Sequence, residues 1–89
     1  MVDNWNLIAK VKRGKNRLKI FLAINKPIMP SEIVNKIYKK PSNTYFNIVS
    51  RALKELVKLG LIKIKNPKEK TGRIYYLTKQ GKQIASKLK

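Results

Sequence analysis

The stretch VSRALKELVKLGLIKI, residues 49–64, changes its apolar period partway along. Up to Leu59 the period is helical. At about 100° per residue, Val49, Ala52, Leu53 and Leu56 fall on one face, joined one turn earlier by Tyr45. The opposite face collects Asn43, Thr44, Asn47, Arg51, Lys54 and Lys58, with Ser50 on its flank. This pattern predicts a helix with one side against a core and the other polar and basic. Pro41-Ser42 marks its start, because proline cannot continue a preceding helix and serine can accept from the exposed N–H groups of the new one. Gly60 marks its end, being free to take the left-handed conformation of a C-terminal cap. After it, LIKIK alternates apolar and basic residues, the period of a half-buried strand.

The same reading extends to both ends. In DNWNLIAKV, Trp5, Ile8 and Val11 stand at helical spacing, with Asp3 or Asn4 as a cap. KRGKN interrupts, and RLKIFLAIN resumes with Ile20, Phe21 and Ile24 as the buried set. KPIMP is a connector from which Ile28 tucks inward. Ser31 is expected to cap a short helix, SEIVNKIYKK, that buries Ile33, Val34 and Ile37 and holds Glu32 near its positive end. The strands LIKIKN and RIYYLT flank PKEKTG, whose proline and glycine signal a hairpin with an extended tip, about residues 61–78. Tyr75 and Tyr76 alternate across the second strand, so one faces inward. A closing helix, TKQGKQIASKLK, carries Ile84 and Leu88 four apart.

No repeat or low-complexity linker divides the chain, so residues 1–89 read as a single domain. The fold class expected is α+β and mostly helical. A short helix, a tight turn, a long polar-faced helix and a two-stranded ribbon make the winged helix-turn-helix arrangement. That gives a three-helix core, a two-stranded β-wing and short terminal helices.

Composition narrows the function. Lys and Arg number 22 against 4 acidic residues, a net charge of +18 on 89 residues. Such a concentration of like charge repels itself in the folded state, and a polyanion is its natural complement, nucleic acid being the commonest. No apolar run approaches the roughly 20 residues that span a bilayer, and no signal peptide is visible. The absence of cysteine removes disulfides and thiolate metal sites and fits the cytoplasm; the absence of histidine removes the commonest general base and metal ligand. Asp3, Glu32, Glu55 and Glu69 are scattered in sequence. The expectation is therefore no enzyme, no metal, no cofactor, no membrane partner and no small-molecule ligand. Abundant lysine and isoleucine point to a heat-loving source.

Three stretches also resemble a known family. VSRALKELVKLGLI is similar to the recognition-helix end of winged-helix regulators of the MarR and ArsR kind. IYYLTKQGKQIA resembles their wing exit, through Tyr75, Leu77, Thr78, Gly81 and Ile84. RLKIFLAI and MPSEIVNKI fit the two preceding helices, so the resemblance covers roughly residues 17–85. It implies a DNA-binding transcription regulator that is usually dimeric. The chain departs from metal-sensing members in lacking Cys and His clusters, and from larger members in its short termini.

Candidate roles follow. A helix fits the major groove of DNA, where side chains near its N-terminus meet base edges. Asn43, Thr44 and Asn47 take that position, and Arg51 suits either a guanine edge or a phosphate. Ser42 joins the DNA-binding set, while Ser50 and Lys54 at the margin suit phosphates. Lys68, Lys70 and Arg73 surround the hairpin tip and suit a narrow minor groove. Trp5, Ile8, Ile84 and Leu88 on the terminal helices are the candidate homodimer interface. The reading reached is sequence-specific binding of double-stranded DNA. The alternatives are a ribosomal or other RNA-associated basic winged helix and a non-specific architectural DNA binder. Tyr38, Tyr45 and Phe46 are expected to be buried or supporting, which disfavours single-strand RNA readers that stack bases on exposed aromatics.

Overall fold

The computed structural model describes residues 4–40, 42–70 and 72–88. Within them the chain is α+β, with five helices and a two-stranded antiparallel sheet. Helices α1 (Asn4–Lys12), α2 (Lys15–Ala23), α3 (Pro30–Tyr38) and α4 (Asn43–Lys58) precede strands β1 (Ile62–Ile64) and β2 (Tyr75–Leu77); α5 (Lys79–Leu88) closes the chain. The expected Asp3 cap and the Pro41 break lie outside the described residues.

One apolar cluster joins these elements. Phe21 of α2, Ile33 of α3, Leu53 and Leu56 of α4, Ile62 of β1 and Ile84 of α5 are all sealed from solvent. Each such side chain contributes about 1.5–3 kcal/mol relative to leaving it exposed. The stripe predicted for α4 is the buried one: Val49, Ala52, Leu53 and Leu56 face inward. In α1 the buried pair is Leu7 and Val11, four apart, while Ile8 is half-buried. The Trp5–Ile8–Val11 spacing therefore does not define the face that α1 turns to the core.

Helix α3 starts two residues earlier than a Ser31 cap implies, with Met29 in the capping position. Pro30 takes its first position, where the missing N–H costs nothing, and the Glu32 carboxylate accepts from the Met29 N–H at 3.1 Å. Ser31 therefore lies inside the helix and does not cap it. Ile37 is half-buried and packs against the cluster. At its other end Lys39 is left-handed, φ 59°, with its N–H shared between the carbonyls of Val34 and Asn35. The rings of Tyr38 and Tyr45 stack across the turn into α4, 4.3 Å apart and 3° from parallel. The Tyr38 hydroxyl donates to Asn16 Oδ1 at 3.1 Å, tying the turn to α2.

The sheet is shorter than the periodicity implied. Ile62 pairs with Leu77, Lys63 with Tyr76, and Ile64 with Tyr75. Period two then turns Ile62 and Tyr75 into the core and leaves Lys63 in solvent. Beyond Lys65 the ladder gives way to a side chain: Asn66 accepts from the Ile74 N–H at 2.8 Å and donates to the Gly72 carbonyl at 3.2 Å. Ile28, buried as expected, exchanges two backbone bonds with Tyr75, at 2.9 and 2.8 Å. That bridge fastens the α2–α3 connector to the hairpin.

Candidate nucleic-acid interface

Helix α4 presents the candidate surface. Asn43, Thr44, Asn47, Ser50, Arg51 and Lys54 are all exposed, opposite the buried stripe, and Lys58 continues the row. Ser42 differs from them. It is half-buried, and its hydroxyl oxygen accepts from the Tyr45 N–H at 3.2 Å as the N-terminal cap. The only acidic residue of α4 is Glu55, which forms an ion pair with Arg17 of α2. Arg17 also donates to the Lys10 carbonyl of α1, so one guanidinium neutralises that carboxylate and links three helices. The pair is part-exposed, so its worth to stability is small. Its effect is to leave the outward side of α4 without an uncompensated negative charge.

The end of α4 sets the direction of the hairpin. Gly60, at φ 76°, donates to Val57 at 3.0 Å, and Leu61 donates to Leu56 at 3.1 Å, the two bonds of a Schellman cap. The Thr78 hydroxyl donates to the Gly60 carbonyl at 2.7 Å and accepts from the Gly81 N–H at 3.0 Å. The Thr78 N–H donates to the Leu61 carbonyl at 3.0 Å. Four residues thus fasten the last turn of α4, the hairpin base and the first turn of α5 into one joint.

At the hairpin tip Lys68 and Lys70 are exposed. Arg73 is half-buried, and its Nε donates to the Glu69 carbonyl at 2.6 Å. Its guanidinium is thereby held against its own loop. Between the hairpin and α4 lies an open groove of about 600 Å³. Phe46, Val57, Ile64 and Tyr75 give it apolar walls; Lys54 and Lys70 stand among its polar ones. Phe46 is 36% exposed, which corrects the expectation of a buried or supporting ring.

The four residues expected at a dimer interface are not equivalent. Ile84 is fully enclosed by its own chain and offers no surface to a partner. Ile8 and Leu88 are half-buried against the core, and Trp5 is 79% exposed. Among the described residues no charged side chain is buried, so their charge lies at the surface. None of their helices is long and apolar enough to cross a membrane.

Sequence reasoning did not single out Arg17 or Asn66. Both act through partners distant in sequence or through backbone groups, and neither sits in a periodic pattern. Set against protein-family models, curated proteins and solved structures, the chain matches none of them.

Proposed function

We propose that this protein is a sequence-specific double-stranded DNA-binding regulator of the winged-helix type, with α4 in the major groove and the hairpin on the minor groove or backbone. One observation carries the reading: the face of α4 opposite its buried stripe carries Asn43, Thr44, Asn47, Arg51, Lys54 and Lys58, the helix's one carboxylate is paired, and a lysine-bearing hairpin is fixed beside it. A major groove about 12 Å wide admits such a helix. Asn47 matches the N6 and N7 edge of adenine, and Arg51 matches the O6 and N7 edge of guanine. Lys54, Lys58, Lys68 and Lys70 meet phosphates and release condensed counterions. The deep, narrow major groove of an RNA duplex does not admit a helix, which favours DNA.

The test is fluorescence anisotropy on DNA duplexes and RNA hairpins over a range of salt. About six phosphate contacts lower affinity roughly a thousandfold between about 50 and 200 mM salt. An affinity that stays flat over this range would overturn the nucleic-acid reading. On a selected duplex, Arg51→Ala and Asn47→Ala each cost about 1–3 kcal/mol relative to a scrambled one. An equal loss on both duplexes would reduce the residue to a phosphate contact.

A further inference from the structure

The groove between α4 and the hairpin has a chemistry that a fully paired duplex does not match. Phe46 and Val57 are two of the three large apolar side chains exposed among the described residues, and both line it. They lie on the hairpin side of α4, away from the Asn47–Arg51 face, and Ile64 and Tyr75 continue the apolar surface across to the sheet. Cations surround it: Lys54 and Lys58 from α4, Lys70 and Arg73 from the hairpin. The one carboxylate at its edge, Glu55, is paired with Arg17. A concave site with mostly apolar walls and a few polar groups at its edge is the usual form of a pocket for a small flat ligand group. A paired duplex turns only sugar and phosphate toward the space beside a groove-bound helix, so the phosphates would find the lysines and the apolar walls would find nothing.

An unpaired nucleotide satisfies both parts. Its base has a flat π-face to stack on an aromatic ring, a contact that every base can make, and its phosphates reach the surrounding cations. The groove adjoins the proposed duplex surface, since Ser50 and Lys54 belong to both. A nucleic acid lying along α4 therefore already reaches its mouth. An acidic peptide with an apolar anchor matches the same charge, yet lacks that continuity.

We infer, resting on the proposed function, that the groove receives an unpaired base stacked on Phe46, so that the protein prefers duplexes with an extruded base or a single-strand junction. The test compares three labelled DNA duplexes of one sequence: fully paired, carrying a one-nucleotide bulge, and carrying the same bulge as an abasic site. The wild-type protein should bind the base-bulged duplex at least about fivefold more tightly than the other two, the lower end for base–aromatic stacking. Phe46→Ala, with folding checked by circular dichroism, should bring that ratio to about one, and Phe46→Trp should keep it. Equal binding of base and abasic bulges by the wild type, or a preference that survives Phe46→Ala, overturns the inference. Binding of all three duplexes alike with a steep salt dependence defeats the base site and leaves the proposed function standing. Failure to bind any of them defeats both. Displacement by an acidic leucine-bearing peptide, dependent on Phe46 and unaccompanied by bulge preference, also overturns it by assigning the groove to a protein partner.

Discussion

Replacing Gly81 by alanine isolates the joint between α4, the hairpin and α5. Gly81 is helical and buried, and helix propensity alone makes Gly→Ala favourable by about 1 kcal/mol. Here the added Cβ would overlap the Leu61 carbonyl oxygen and stand 3.0 Å from its carbon and 3.3 Å from Leu77 Cδ2. Carbon–oxygen contacts settle at about 3.3 Å, so the two backbones must separate by about 1 Å. The Leu61 carbonyl cannot simply withdraw, because it accepts the Thr78 N–H at 3.0 Å. Overpacking of this kind costs about 1–3 kcal/mol, and the strained hydrogen bond about 1 more. Set against the propensity gain, the expected loss is about 2 kcal/mol, a fall in Tm of about 8–16 °C for a domain of this size. Thermal and urea unfolding followed at 222 nm measure it. Ser86→Ala, at an exposed position of the same helix, reports propensity alone and should raise stability by a few tenths of a kcal/mol. Gly81→Ala unfolding at or above the wild-type temperature would refute the claim that close backbone approach requires glycine there.

Three other outcomes are expected. Lys39→Gly should stabilise by about 0.5 kcal/mol, because the left-handed conformation costs a side-chain residue about 1–2 and glycine's extra freedom returns only part of that; a lower urea midpoint would count against it. Burial, and secondarily the neighbouring Tyr45 phenol, hold Tyr38 above the usual tyrosine range. The neutral phenol is thus favoured by the fold, and its stabilisation is complete below pH of about 10 and is lost as pH rises through the raised value; in an ultraviolet titration Tyr38→Phe should remove a phenol that ionises above the usual tyrosine range. A homodimer expected from the sequence would pair two copies through α1 around Trp5 with Leu88 at its margin, and light scattering should then show a mass that falls on Trp5→Ala; a monomeric wild type at every salt concentration would dismiss it.

What was readable in the sequence depended on how local the cause was. The faces of α4, its serine cap and its glycine stop are all set within one turn of the residues that produce them, so periodicity and capping rules found them. The hairpin was found for the same reason, although its strands proved shorter because the Asn66 amide replaces backbone pairing near the tip. The start of α3 lies two residues before the one a Ser31 cap implies, because two local signals compete there. Proline at the first helical position with a Glu32 side-chain bond took precedence over a serine cap.

Contacts that join distant segments are not set by such local rules. The Ile28–Tyr75 bridge, the Arg17–Glu55 pair and the threonine at the α4–hairpin joint each need two segments whose approach only the folded core decides. The inward side of α1 belongs with them: Leu7 and Val11 are buried because α1 packs between α2 and α5, a geometry that the nine residues of α1 cannot encode alone. This distinction bears on the site itself. The direct contacts expected of α4 rest on local pattern, whereas the angle at which the hairpin stands beside it rests on Gly60, Leu61, Thr78 and Gly81 together. A substitution at that joint should therefore disturb how helix and hairpin engage a duplex at once, while leaving each separately intact. Binding by both elements together gains affinity only while their spacing matches the ligand. The proposed recognition surface is consequently a property of the joint as much as of the polar side chains on α4.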